Sequence, residues 1–269
     1  MPFFFLVLFI FLLVGCEQQP VLNPPPNKQT IIVNEKNEPI LSPTPRPSPI
    51  VIVKPNATPI PTPNIILGNP EGPILTEKGH ALIVEFEVGG RNGYKQHCEA
   101  PDWKYSGITE GIGYDNHTNS ANIIFKDWMR LGVTSAKRLS ETHPYYGPTA
   151  KAHLKDVVDI LIPWSDAIGL FDTVDVARTY SQCKKAFKGF EDLRLNAQAA
   201  LISLVFNRGT DMTGPNRLEM RLIRDAVPKK DYDTIASAEI KMIRVWIGTE
   251  NYKGLKRRRE AESQLILTP

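Results

Sequence analysis

The stretch Ser106-Gly107-Ile108-Thr109-Glu110-Gly111-Ile112-Gly113-Tyr114-Asp115 is the most informative part of the chain, because it interrupts an otherwise helical pattern. Its glycines permit positive φ angles and close backbone approach, and they predict a small β-hairpin or irregular sheet between residues 103 and 118. Helical spacing of apolar residues is clearest further along, at Ala197, Ala200, Leu201, Leu204 and Val205. We therefore predict an α+β fold that is mostly helical, with this sheet near its N-terminal end.

Helices are predicted wherever apolar residues recur at intervals of three and four. Besides the segment around Ala200, which Gly209 should end, the predicted helices are 80–88, 120–131, 165–171, 174–187, 217–227, 232–246 and 255–265. Ser165 with Asp166, and either Asp172 or Thr173, should provide the N-caps of two of these helices.

The first residues have the features of an export signal. Residues 3–14 form an unbroken apolar run, which is too short to span a bilayer and has the length of a signal-peptide core. The run ends in Leu13-Val14-Gly15-Cys16, which resembles the lipobox of bacterial lipoproteins. The resemblance implies a signal peptide over residues 1–15 and acylation of Cys16, which would anchor the exported protein to the membrane of the cell envelope. Because Glu17 rather than aspartate follows, the outer membrane is favoured where there is one. An ordinary secretory signal is the alternative.

Proline dominates the segment that follows. Of the 23 prolines in the chain, 15 lie between Gln18 and Leu75. Each one fixes φ and lacks a backbone N–H, so helices and central strands are disfavoured and an extended, disordered chain is expected. We predict a proline-rich tether over residues 16–75 and one folded domain over residues 76–269.

The composition argues against several classes of function. A net charge of +3, from 32 Lys and Arg against 29 Asp and Glu, is too balanced for a nucleic-acid binder. The chain has no G-x-S-x-G, H-E-x-x-H or phosphate-loop motif, and its five histidines lack metal-ligand spacing. We therefore expect no cofactor, no metal and no nucleic-acid partner, and we expect a monomer.

Two cysteines remain in the folded part when Cys16 is acylated, namely Cys98 and Cys183. Export would place them in an oxidising compartment, where a disulfide closing a loop of about 85 residues would contribute on the order of 4 kcal/mol. Two buried, unbridged thiols are the equally open alternative.

Acidic residues crowd the region around the hairpin, and Glu87 is distinctive among them. Val84 and Val88 lie near it at helical spacing, and Gly89-Gly90 should end the helix directly after it. The helix dipole and desolvation both disfavour the anionic form of a carboxyl group in this position. A group that keeps its proton in this way suits general acid catalysis at neutral pH.

Four motifs resemble one enzyme family. The hairpin is similar to that of the phage-type lysozymes, glycoside hydrolase family 24, and more closely to that of the pesticin-like muramidases, in which a G-x-G-Tyr stretch separates a threonine from an aspartate. Phe86-Glu87-x-Gly resembles the family's helix end with the catalytic acid. Residues 196–209 resemble its Q-x-A-L-x-S-F-x-F-N-x-G helix, and residues 254–262 its terminal G-L-x-x-R-R-x-x-E helix.

This resemblance implies a lysozyme-like fold and roles for individual residues. Glu87 matches the general acid, Thr109 the threonine that positions the attacking water, and Asp115 the pesticin-type aspartate. Asp102 precedes Thr109 much as the aspartate of other phage-type lysozymes does, and it is the alternative second carboxylate.

Two further expectations come from the resemblance. Glu110 stands where the family usually has isoleucine, but in a strand its side chain should point to the face opposite Thr109 and be tolerated. The terminal helix, if packed as in the family, would bring either Arg257 or Arg258 close to Glu87.

The resemblance thus implies a muramidase that hydrolyses the β-1,4 bond between N-acetylmuramic acid and N-acetylglucosamine in peptidoglycan glycan strands. Glu87 would donate a proton to the leaving oxygen, while Asp115 and Thr109 orient water or stabilise the transition state. The alternative is a lysozyme-fold lipoprotein that binds peptidoglycan without cleaving it, since a fold does not imply a function.

Overall fold

The computed structural model describes residues 65–66, 75–103 and 106–269 of the chain. The predicted signal peptide, Cys16 and most of the predicted tether lie outside these residues. Strand β1 (Ile65–Ile66) pairs antiparallel with β2 (Leu75–Thr76), and Leu75 is buried in the core. Both strands include residues that we expected in the tether. The run 64–69 contains no proline, so it keeps the backbone N–H groups that strand pairing needs.

The predicted small sheet is present near the start of the described part. It has three antiparallel strands, β3 (Asp102–Trp103), β4 (Ile108–Glu110) and β5 (Tyr114–Asp115), with β4 in the middle. The turn between β4 and β5 is Gly111-Ile112-Gly113, in which both glycines have positive φ angles.

Helices form most of the remaining structure, which confirms the α+β class. They are α1 (Glu77–Val88), α2 (Gly90–His97), α3 (Ala121–Arg130), α4 (Ala136–Glu141), α5 (Gly147–His153), α6 (Trp164–Leu170), α7 (Val176–Ala186), α8 (Leu195–Arg208), α9 (Leu218–Ala226), α10 (Tyr232–Met242) and α11 (Tyr252–Leu267). Each helix predicted from apolar periodicity has a counterpart here, with ends that differ by a few residues.

Helix α8 lies at the centre of the core. Every residue from Ala197 to Val205 is buried, and α8 packs against α1, α7 and α11. Small residues permit this close packing, because a Cβ added at Gly79 of α1 would clash with the Cβ of Ala199. The core thus holds α1, α7 and α11 against the same central helix.

The predicted N-caps of α6 and α7 are wrong. Helix α6 begins directly after Pro163, and a π turn, Phe171–Asp175, joins it to α7 without a break. The backbone remains helical there, and the hydroxyl group of Thr173 donates to the carbonyl oxygen of Gly169 at 2.7 Å instead of capping α7.

Three short helices, α2, α4 and α5, were not predicted. Helix α2 has the sequence GRNGYKQH and buries Tyr94 alone, so it lacks the apolar periodicity that would reveal it. Gly89, which we expected to end the first helix, does so in the left-handed conformation at φ 68°, and α2 starts immediately afterwards.

No disulfide joins Cys98 to Cys183. Cys183 is buried on α7, and its thiol group donates to the carbonyl oxygen of Leu201 on α8 at 3.5 Å. Cys98 follows α2, which packs against α1 and α6. The two cysteines therefore belong to different packing regions and are not bridged to each other. Cys183 is buried, as the second alternative expects, whereas Cys98 is half-buried.

Among the described residues, no helix combines the length and the apolar character that crossing a membrane requires. The same part of the chain contains no group of three or more His, Cys, Asp or Glu side chains arranged to hold a metal ion.

Candidate active site

Glu87 lies in the last turn of α1. Gly89 ends the helix by donating its backbone N–H to the carbonyl oxygen of Glu85 at 2.9 Å, and the glycine's left-handed conformation turns the chain away. The Glu87 side chain is only 2% exposed. The expected helix-end carboxyl group is therefore also a buried one, and burial of a charge requires a partner.

Arg258 of α11 is that partner. Its Nη1 donates to Oε1 of Glu87 at 2.6 Å, and its Nε donates to Oε1 of Glu262 at 3.2 Å. Its Nη2 donates to the backbone oxygen and the hydroxyl group of Ser203, at 3.0 and 3.1 Å. Of the two arginines that the sequence left open, Arg258 is thus the one bound to Glu87, whereas Arg257 is exposed.

The ion pair continues into a buried network. Arg259 Nη1 lies 3.0 Å from Oε2 of Glu262 and 3.2 Å from Oε2 of Glu239, and Arg259 Nη2 donates to the Asn207 side chain at 2.7 Å. Burial raises the pKa of Glu239 to about 8, the charge of Glu262 adds to the rise, and Arg259 opposes it. One face of α11 thus links Glu87 to α8 and α10 through charged hydrogen bonds.

The hairpin turn approaches Glu87 from the other side. A Cβ added at Gly113 would lie 3.5 Å from Oε2 of Glu87 and 3.4 Å from the ring of Phe206. Gly113 has φ 76° and is exposed, so the turn brings a bare and accessible backbone against the carboxyl group. A substrate atom could approach Glu87 at this position.

Thr109 lies between the two candidate aspartates. In the sheet it pairs with Asp102 on one side and with Asp115 on the other. Directly opposite residues of antiparallel strands project from the same face, so the three side chains form a row. The structure therefore brings both predicted alternatives for the second carboxylate next to the threonine.

The two aspartates differ in their surroundings. Asp115 is 6% exposed and accepts hydrogen bonds from the hydroxyl group of Ser106 at 2.6 Å and from the backbone N–H of His117 at 2.9 Å. The Asp102 side chain accepts from the backbone N–H of Trp103 at 2.7 Å, and the residue is less buried. Asp115 is thus the more buried of the two.

Glu110 is turned into the core. Its Oε1 accepts from the indole N–H of Trp128 at 3.0 Å, and its Oε2 accepts from the amide of Asn116 at 2.9 Å. Burial raises the pKa of Glu110 well above its usual range, and these two hydrogen bonds oppose the rise. Because neighbouring residues in a strand alternate in direction, Glu110 does not add its charge to the face that Thr109 shares with the aspartates.

Four charged or polar residues near the site were not singled out from the sequence. They are Tyr114, Asp127, Asp175 and Arg178, which interact with one another beside the hairpin. Asp175 lies in the π turn, which apolar periodicity does not reveal. Acidic residues inside helices with buried faces, such as Asp127 beside Trp128, were the available signal.

Comparison with known proteins identifies no relative: the chain matches neither a protein-family model nor a curated protein. What the site does must therefore be inferred from its own geometry and chemistry.

Proposed function

We propose that this chain is a peptidoglycan hydrolase of the lysozyme type, a muramidase that cleaves the β-1,4 bond between N-acetylmuramic acid and N-acetylglucosamine. One observation carries the proposal: a buried carboxyl group at a helix end, Glu87, contacts the turn of a hairpin whose strands align Thr109 with Asp115 and Asp102. Glycoside hydrolysis needs such a proton donor facing a second carboxylate. The sequence resemblance to phage-type and pesticin-like muramidases supports the same assignment.

Glu87 and the hairpin residues have separate roles in the proposed reaction. Protonated Glu87 gives its proton to the glycosidic oxygen as the bond from that oxygen to the anomeric carbon breaks. Water adds to the anomeric carbon and gives up a proton, to Asp115 if the configuration inverts or to Glu87 if it is retained. Asp115 with Thr109 orients this water or stabilises the positive charge that develops on the sugar ring. Arg258, 2.6 Å from Oε1 of Glu87, stabilises the carboxylate that remains after proton transfer.

Glu110 would favour the non-catalytic alternative if its charge lay beside the reacting residues, but it is bonded to Trp128 and Asn116 in the core. A peptidoglycan-binding role without cleavage remains an outcome that the experiment below can reveal.

The test is the release of muropeptides from purified peptidoglycan. Glu87→Gln keeps the size of the side chain and removes the transferable proton, so release should fall about 100-fold or more. The matched control is Glu85→Gln, on the same helix but exposed, which should retain normal release. Binding without release by the unaltered protein would favour the non-catalytic role. Near-normal release by Glu87→Gln would remove Glu87 as the acid.

The proposed location follows from the sequence. Acylation at Cys16 would anchor the protein to the cell envelope, in the outer membrane where one exists, and the proline-rich segment would let the domain reach glycan strands at a distance from the bilayer.

A further inference from the structure

Tyr146 is an aromatic residue directly before helix α5. The residue is 51% exposed, and its backbone is extended, at φ −137° and ψ 148°. Gly147 follows at φ 56°, a left-handed conformation that favours glycine, and it turns the chain from Tyr146 into the helix. Pro148 lies in the first turn of α5, where the missing N–H costs no hydrogen bond. The local sequence thus leaves Tyr146 just outside the helix with about half of its surface open to solvent.

Two contacts join this segment to the three-stranded sheet. The backbone N–H of Gly147 donates to the carbonyl oxygen of Ser106, just before β4, at 2.6 Å. About one turn further along α5, the ammonium group of Lys151 lies 4.9 Å from the ring centroid of Trp103 on β3. The start of α5 is therefore held next to the sheet that carries the row of Thr109 and the two aspartates.

Tyr146 also lies close to the Asp115 carboxylate. The hydroxyl group of Ser106 donates to Oδ2 of Asp115 at 2.6 Å, and the backbone N–H of His117 donates to Oδ1 at 2.9 Å. The ring of His117 contacts the ring of Tyr146, with centroids 4.8 Å apart and an angle of 43° between the planes. Each residue that binds the Asp115 carboxylate thus contacts either Tyr146 or the glycine that follows it.

Single exposed aromatic rings are common on protein surfaces, and the position of Tyr146 is what distinguishes it. A pyranose ring presents C–H groups on its faces, and these pack well against an aromatic ring. Aromatic side chains accordingly line many ligand sites. We propose that Tyr146 forms a sugar-binding subsite, in which its ring stacks on a pyranose of the glycan strand near the bond that Glu87 cleaves. This subsite rests on the proposed function. It would bind a β-1,4-linked chain of N-acetylated sugars.

The binding test uses peptide-free glycan strands from peptidoglycan, titrated by calorimetry into the full chain carrying Glu87→Gln, which prevents cleavage. Adding Tyr146→Ala should weaken binding about tenfold, as expected for the loss of one aromatic contact. Tyr146→Phe keeps the ring and should recover most of the affinity, whereas Tyr146→Leu, which is apolar without being aromatic, should not. Phe125→Ala is the matched control, since Phe125 is an exposed ring on α3 (39% exposed), and it should leave the affinity unchanged.

Proton NMR of the bound glycan separates stacking from a structural effect of the substitutions. A ring stacked on a sugar shifts the C–H resonances of that sugar upfield, so the shift should persist with Tyr146→Phe and disappear with Tyr146→Leu. Circular dichroism checks that each variant is folded. Absence of glycan binding by the Glu87→Gln chain, or equal affinity after Tyr146→Ala, would overturn the subsite.

Kinetics distinguish failure of the subsite from failure of the proposed function. Stacking that is equal in the ground state and the transition state supplies affinity rather than rate. With Glu87 intact, Tyr146→Ala should therefore raise KM for soluble glycan strands about tenfold and leave kcat within about twofold. A fall in kcat without a rise in KM would also overturn the subsite. If the unaltered chain binds glycan through Tyr146 but cleaves none, the proposed function is refuted and the subsite stands.

Discussion

Replacing Arg258 with methionine removes the guanidinium group that binds Glu87 while keeping a long, unbranched side chain in the core. Arg258 is 2% exposed, and it donates to Glu87 and Glu262 and to both oxygens of Ser203. Glu262 keeps two partners in the variant, the hydroxyl group of Ser203 at 2.5 Å and Arg259 at 3.0 Å. Glu87 is therefore the carboxylate left uncompensated.

The expected loss of folding free energy follows from this uncompensated charge. Removing one partner of a buried ion pair costs about 3–5 kcal/mol, because the other charge stays buried without compensation. That is a large fraction of the 5–15 kcal/mol by which domains are typically stable. Adding Glu87→Gln removes the uncompensated charge, so the double variant should recover roughly 2 kcal/mol or more of the loss.

Urea unfolding followed by circular dichroism at pH 7 measures the loss of stability in Arg258→Met and its recovery in the double variant. Arg257→Met is the matched control, since Arg257 is the exposed neighbour on the same helix, and its effect should stay within about 0.5 kcal/mol. Our account of the network fails if Arg258→Met costs no more than this control. It fails equally if the losses of Arg258→Met and Glu87→Gln simply add in the double variant.

Three further predictions concern other residues of the domain. The pKa of Glu239, raised from about 4.5 to about 8, means that the folded state holds a proton that the unfolded state releases. Stability should therefore fall as pH rises from about 4.5 to 8, by up to about 5 kcal/mol. Unfolding of Glu239→Gln between pH 5 and pH 9 should show a shallower slope, because Asp175 and Glu110, whose pKa values are also raised, keep part of it. A slope equal to that of the unaltered protein would exclude Glu239 as a source. Asp115→Asn should reduce muropeptide release at least tenfold with the fold intact, whereas Asp102→Asn should retain it; the reverse order would make Asp102 the second carboxylate. Thiol labelling of the exported protein under denaturing, non-reducing conditions should detect Cys98 and Cys183 and no third cysteine, whereas three labelled thiols would show that Cys16 is not acylated.

Apolar periodicity predicted the long helices because each of them packs one face against the core. Helix α3 shows this, since its buried residues Ile124 and Trp128 lie four positions apart, whereas α8 is buried on all sides from Ala197 to Val205. Helix α2 has no such face, because Tyr94 alone is buried, and it was not predicted. The sheet was predicted from its glycines, and Gly111 and Gly113 do adopt positive φ angles.

The site was predictable where one local feature defines a residue's environment. Glu87 lies at a helix end that Gly89 specifies, and cross-strand pairing places Thr109 beside Asp115. The choice between Arg257 and Arg258 was not predictable, because it depends on the rotation of α11 about its own axis. Asp175 was missed for another reason: a π turn shifts the helical phase by one residue, so the sequence resembles two capped helices with a break between them.

Two clusters of charged side chains near the site each contain more carboxyl groups than guanidinium groups. In the described part of the chain, the α11 network joins the carboxyl groups of Glu87, Glu262 and Glu239 to two guanidinium groups, those of Arg258 and Arg259. The cluster at the π turn likewise has two carboxyl groups and one guanidinium group. Each of these two clusters thus has one carboxyl group more than it has guanidinium groups. A buried excess of negative charge is relieved most cheaply by binding a proton. The sequence pointed to a helix dipole and an apolar surrounding as the reasons for Glu87 to keep its proton. The structure shows a raised pKa for one carboxyl group in each cluster: burial raises the pKa of Glu239 to about 8 and that of Asp175 to about 7.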